Sequence, residues 1–410
     1  MAGLRAILTC EADLLWRGGI GTYVRGDAES DADAGDRAND AIRIAASALR
    51  VKVVGEGANL GLTQRARIDA AGHGVRLNTD FIDNSAGVNS SDQEVNIKIA
   101  LAPALADGRM QRASRNELLA SMTSDVAEAC LANNYAQSLA LSLAERRGAD
   151  GLADAQHLMR VLERRGLLDR KLEGLPGDMA RAERKKVGRG LTRPEHAVLL
   201  SHAKIALSYD LIGSSVPDDA ALQPVLTGYF PPALLAAYAG DVSRHPLRRE
   251  IVTTELTNRI VNICGADLPS RLADDRGLDV EQTTRAMLGA LDMLAADNLI
   301  RDIGALDARI AGADQLALYV EVQRLVRDAA SAIATEARRL TPHAEVMPRL
   351  ADIWRRLAVG IDRVLTPPRL EALRAREAGW ATRGAPAPLA AALATAAALA
   401  EAIDIGMIAG

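Results

Sequence analysis

Strand-like patterns are confined to the first 110 residues, and from residue 111 onward only helical periodicity is found. A chain so divided cannot build one continuous α/β layer structure. It predicts a partial parallel sheet of the α/β type at the N-terminus, then a larger all-α domain, mostly α overall. In the first part "ADLLW" (12–16), "RVKVV" (50–54) and "GVRLNTDFI" (74–82) read as strands. Between them "DAGDRANDAIRIAASAL" (33–49) reads as a helix, with Ala38, Ala41, Ile42 and Ala45 at three- and four-residue spacing. "LTQRARIDAAG" (62–72) reads as a shorter helix, N-capped by Thr63 and ended by Gly72. "SDQE" matches a capping box from Ser91 to Glu94 that opens a third.

Beyond residue 111, helical patterns run through 114–146, 153–166, 195–210, 248–263, 280–296 and 306–338. Pro368, Gly379, Gly384, Pro386 and Pro388 mark a linker to an Ala-rich tail. The expected domains are therefore 1–110, 111–366 and 367–410, the last being the linker and tail.

A net charge of −4 gives no reason to expect nucleic acid or an anionic membrane as partner. The basic run "RAERKKVGRGLTR" (181–193) has no interleaved aromatics and reads as a solvated connection. Cys10, Cys130 and Cys264 are widely spaced, and neither they nor the histidines form a metal-ligand pattern. Glu401 and Asp404 interrupt the Ala-rich tail, which argues against a membrane span. With no basic and apolar leader, a cytoplasmic protein is expected. Trp16, Trp354 and Trp380 read as core or cap residues.

Three loops follow the three strands and fall at one edge of a parallel sheet, where ligands collect. "GGIGTYV" (18–24) allows close backbone approach to a flat ligand through Gly18 and Gly19, or is an ordinary turn. "GEGANLG" (55–61) has Gly55, Gly57 and Gly61 at GxGxxxG spacing, one residue too long for the dinucleotide fingerprint. Its readings are pyrophosphate binding, a plain strand-to-helix turn, or contact with another part of a ligand. "DNSAGVNSSD" (83–92) sets Asn84, Ser85, Asn89, Ser90 and Ser91 beside a helix N-terminus, suited to an amide or carboxylate ligand or to capping alone.

"DLLWRGGIGTYV", "GDRANDAIR", "VVGEGANLGLTQRARI" and "NTDFIDNSAGVNSSDQEVNIKI" resemble consecutive blocks of the large, NAD-specific bacterial glutamate dehydrogenases. "LTRPEHAVLLSHAKIAL", "YFPPAL", "HPLRREIVTTELTNRIVN" and "ALDARIAGADQ" resemble their helical C-terminal region. The resemblance runs in order over residues 4–330, and to about the last quarter of family members. It implies oxidative deamination of L-glutamate to 2-oxoglutarate and ammonia, with NAD as hydride acceptor. Through the "GAN" block it implies that Gly57, Ala58 and Asn59 lie by the nicotinamide. It places Asn84 on the carboxamide, and Val88 and Ser91 against the glutamate side chain. Ser85-Ala86, where shorter relatives have Ala-Gly, is the departure.

The upstream substrate domain, with its general base and acid, has no counterpart in this sequence, so no catalytic residue is assigned. Lys98, four residues after Glu94, reads as a surface ion pair. The expected partners are the remainder of the dehydrogenase or a second copy, since half a sheet leaves an open edge and an uncovered apolar face. Two other functions remain open: a non-catalytic helical interaction or regulatory module, and a split-enzyme subunit that completes a site with a partner chain.

Overall fold

A computed structural model describes residues 2–335 and 352–400. The chain forms two compact units, Met1–Ser208 with Leu222–Leu256, and Tyr209–Ala221 with Thr257–Gly410.

In the first unit, helix α1 (Ala2–Leu8) leads into β1 (Ala12–Arg17), followed by β2 (Val24–Arg25), β3 (Ile44–Ala45) and β4 (Val51–Glu56). β1 pairs in parallel with β4, aligning Leu14 with Val53 and Trp16 with Gly55, and β2 pairs in parallel with β3. One core unites them: Val24, Ile44, Val51, Val54 and Leu62 are buried together with Ala66 and Ala70 of helix α2 (Gln64–Gly72). Thr63 caps α2 as its position predicts, accepting the Ala66 N–H at 3.1 Å. The opposite sheet face is uncovered: Leu14, Trp16 and Val53 are 55%, 61% and 38% exposed.

Three local expectations are corrected. Residues 33–49 are not a helix but a 3-10 turn, the short strand β3 and a second turn. The buried Arg43 guanidinium draws this segment around itself, donating to the Thr22, Asp31 and Asp36 carbonyls and to Asp40 Oδ1. The expected strand 74–82 shrinks to one bridge between Val53 and Arg76. Its latter part turns into the short helix α3 (Asp80–Asp83). Ser91 caps nothing, because α4 (Ser85–Ala106) begins six residues earlier and carries Ser91 in its interior.

Helices α5 (Arg112–Ser121), α6 (Thr123–Arg146), α7 (Leu152–Arg164), α8 (Asp178–Lys186) and α9 (Arg193–Ile212) follow. Next come α10 (Gln223–Gly228), α11 (Pro232–Ser243) and α12 (Arg248–Cys264). No strand occurs beyond residue 111 among the described residues.

The second unit packs α13 (Leu268–Arg276), α14 (Val280–Met293), α15 (Ala296–Gly304) and the helix Ala387–Ala400 around α16 (Gly312–Thr335). α14 has a full capping box between Asp279 and Gln282. Pro367–Thr382, whose punctuation reads as a linker, is helical, with its prolines in the first turn where a missing N–H is harmless. Glu401 and Asp404 lie outside the described residues. No helix among those residues is long and apolar enough to cross a membrane.

Candidate functional site

The glycines after β4 serve the fold first. A Cβ on Gly55 would lie 2.7 Å from Trp16 Cε3, and one on Gly57 would lie 2.5 Å from Trp16 Cζ2. Parallel pairing thus lays the exposed Trp16 indole over two residues that must lack side chains. Trp16 is neither core nor cap, whereas Trp354 is buried. We expect Gly57→Ala to push the indole off the strand at a cost of about 1 kcal/mol. A shift in indole emission would report the displacement, and a Trp16→Ala background should remove the cost. An unchanged emission spectrum would refute the contact.

Beneath the loop lies a buried charge network that the sequence did not announce. Glu56 at the end of β4 is 1% exposed, and Arg67 on α2 grips both its oxygens at 2.7 and 2.9 Å. The same guanidinium lies 3.1 Å from Asp80 Oδ1. The two acids hold the loop from below: the Leu62 N–H donates to Glu56 Oε1 (3.2 Å) and the Leu60 N–H to Asp80 Oδ2 (2.8 Å). These bonds keep Leu60 in the left-handed region at φ +57°. Asp83 accepts the Glu56 N–H at 2.9 Å and Asn78 Nδ2 at 2.8 Å. Burial pushes the Glu56 carboxyl above its ordinary pKa against the pull of Arg67, and burial also raises Asp83.

The network brings two of the sequence candidates together. Asn84 Nδ2 donates to Asn59 Oδ1 at 2.5 Å, joining the loop after β4 to the start of α4. Asn134 on α6 secures that junction, donating to the Ile82 carbonyl (2.7 Å) and to Ser85 Oγ (3.2 Å). Asn84, Val88 and Ser91 follow at i, i+4 and i+7, one stripe along the helix. Val88 is 73% exposed and Ser91 is exposed. Ala58 N–H extends the sheet by donating to the Arg17 carbonyl at 2.9 Å. Gly18 and Gly19 are exposed, and a Cβ at Gly19 would meet nothing within 4 Å. In the same loop Gly21 is the glycine the backbone requires, at φ +120° with Tyr23 and Asn39 crowding it.

Lys52 is paired with Asp13 at 2.7 Å, and Lys98 with Glu94 at 3.1 Å. The lysine with a perturbed environment is Lys204 on α9, whose pKa burial lowers to about 8, with Glu255 of α12 opposing. Tyr229, at the C-terminal end of α10, donates its Oη hydrogen to Asp92 Oδ2 of α4 at 2.9 Å and accepts from Asn96 Nδ2 of α4 at 3.0 Å. Burial raises both Tyr229 and Glu255. Sequence periodicity carries no signal for these groups, because they meet only through the packing of helices distant in the chain.

Residues 2–144 match the family described as bacterial NAD-glutamate dehydrogenase, catalytic domain, and residues 188–410 match glutamate dehydrogenase, C-terminal. The chain therefore belongs to the bacterial NAD-glutamate dehydrogenase family. It is 44% identical over 324 residues to an NAD-specific glutamate dehydrogenase of Halomonas elongata, an alignment covering 79% of this chain and 20% of that protein. It is 42% identical over 388 residues to one of Pseudomonas aeruginosa (94% and 24%) and 40% identical over 324 residues to one of Mycobacterium tuberculosis (79% and 20%). The chain thus spans a quarter or less of the relatives it matches.

Proposed function

We propose that this chain supplies the nicotinamide side of the NAD site and part of the glutamate seat of an NAD-dependent glutamate dehydrogenase. The reaction is L-glutamate, NAD+ and water giving 2-oxoglutarate, ammonium, NADH and a proton. The observation that carries this reading is the meeting of Asn59 and Asn84 on an exposed rim held by the Glu56–Arg67–Asp80 network. Each carboxamide keeps hydrogen-bonding capacity beyond that single bond, which suits the carboxamide of a nicotinamide. Gly18 and Gly19 fit the same group, since no internal neighbour demands a glycine at Gly19 and only Trp16 approaches Gly18.

NAD held at this rim would supply the hydride acceptor. The chain's own residues would bind and orient: Ala58, Asn59 and Asn84 at the cofactor, beside Gly57, whose side-chain face Trp16 already covers, and Val88 and Ser91 at the substrate side chain. No general base or acid is assigned, because the family resemblance places those groups in the upstream substrate domain. On this reading residues 1–110 are the C-terminal half of a Rossmann-like domain, 111–366 the helical domain and 367–410 its tail. The enzyme is cytoplasmic and serves glutamate catabolism. The remaining length of the relatives, or a second copy, covers the exposed Leu14–Trp16–Val53 face.

The test is complementation. The purified chain alone should give no glutamate-dependent NADH, and adding the preceding part of the Pseudomonas aeruginosa relative should restore turnover. In that complex Asn84→Ala should raise the KM for NAD about 10-fold, the equivalent of one hydrogen bond of about 1–1.5 kcal/mol. Robust turnover from the isolated chain, or a complex indifferent to Asn84→Ala, would sink the reading.

A further inference from the structure

The first unit holds a cavity of about 810 Å³ that the reading above leaves unused. It opens beside the C-terminal end of α2 and the segment leading to the Arg76 bridge, which is the amino end of the sheet. The loops bearing Asn59 and Asn84 follow the opposite, carboxyl ends. Its walls come from α2, from Gly72–Leu77 and from the loop joining α8 to α9.

Four arginines line it: Arg76, Arg184, Arg189 and Arg193. Two are committed. Arg184 donates to Glu195 Oε2 at 2.7 Å, while Arg193 donates to Asn78 (3.0 Å), Ser142 (2.9 Å) and Glu145 (3.2 Å). The other two, Arg76 and Arg189, have no side-chain hydrogen bond or ion pair among the described residues. The acids of the lining are engaged: Asp27 with His73 at 2.9 Å, Asp69 with the Asp27 N–H at 2.8 Å, and Glu145 with Arg193. Unspent donor capacity at this cavity is therefore concentrated in two guanidinium forks.

The rim is built rather than incidental. Gly188 turns the chain at φ +69°, and Gly190 sits so close to Gly148 that a Cβ would lie 2.6 Å from its carbonyl oxygen. This contact seats the loop that carries Arg189. The basic run 181–193, which reads as a solvated connection, is thus divided. Lys186 pairs outward with Glu183 at 2.7 Å, while Arg184, Arg189 and Arg193 line the cavity.

We propose that this cavity binds a phosphate-bearing metabolite of nucleotide size. Arg76 and Arg189 hold the phosphate, and the organic part lies along the wall of Ile68, Val75, Leu77 and Leu191. Guanidinium forks match phosphate oxygens in pairs. The volume falls in the range of small-molecule sites and exceeds what a bare inorganic anion would fill.

Equilibrium dialysis of the 410-residue chain with AMP as the probe tests the assignment. We expect saturable one-to-one binding that weakens as salt is added. Adenosine, lacking the phosphate, should bind at least about 10-fold more weakly, and Arg76→Gln/Arg189→Gln should cost AMP a similar factor. Both arginines are exposed, so the fold should persist, which circular dichroism checks. Arg76→Lys/Arg189→Lys keeps the charge without the fork and should retain an intermediate affinity. Arg374→Gln, in the second unit, should change nothing. Absence of saturable AMP binding overturns the proposal, as do equal affinities for AMP and adenosine or full AMP binding by the glutamine variant.

Discussion

Arg67→Met should cost the first unit roughly 3–5 kcal/mol, the largest effect expected of any single substitution in the loop region. The guanidinium faces two buried acids, Glu56 through both oxygens and Asp80 at 3.1 Å. Removing it leaves two carboxylates in a low-dielectric interior with no countercharge, each forced to protonate or to draw in water. The Leu60 and Leu62 N–H groups, which donate to those acids, would lose their anchors together with the loop that positions Asn59. Urea unfolding of the variant measures the loss. The triple variant Glu56→Gln/Asp80→Asn/Arg67→Met should recover much of it, since neutral carboxamides still accept the two N–H groups. A loss below about 1 kcal/mol for Arg67→Met would mean that the network does not hold the loop.

The second large effect is a pH dependence. Burial lowers Lys204 to about 8, from 10.5, the group's ordinary value. Below pH 8 the native and unfolded states both carry the proton, and the native state bears the full cost of the buried charge. Between about pH 8 and 10.5 the native state sheds the proton while the unfolded chain keeps it, so stability rises with pH. At 1.36 kcal/mol per unit, and allowing for partial solvation, the gain should be about 2–3 kcal/mol. Tyr229, raised by burial, works in the opposite sense once unfolded tyrosine ionises. The informative quantity is therefore the difference between wild type and Lys204→Met, measured by denaturant unfolding at several pH values. The wild type should gain on the variant across that window. Parallel profiles would show that Lys204 is solvated.

The helical pattern beyond residue 111, the start of β1 and, to within one residue, that of β4 are legible, because each rests on local periodicity. Residues 33–49 misled because Asp and Asn side chains and the buried Arg43 compete for the backbone groups a helix would use. The strand at 74–82 gave way because Asn78, Asp80 and Asp83 are consumed by Arg193, Arg67 and the Glu56 N–H, a tertiary demand without a sequence period. At the site, motif and family resemblance together name candidate side chains, but neither names what supports them. Glu56 and Arg67 are eleven residues apart and meet only through the packing of α2 beside the end of β4. The glycines of "GEGANLG" suggest room for a ligand, yet Gly55 and Gly57 are occupied from within by a distant residue of the paired strand, Trp16.

That indole has a consequence for the spectroscopist. Trp354 is buried and Trp380 only partly open, so an aqueous quencher such as iodide reaches Trp16 first. It stands on the open sheet face at the rim that carries Gly57 and Asn59. Any segment that closes over this face must screen the indole from the quencher and alter its emission. The chain therefore carries its own optical gauge of assembly, needing no added dye.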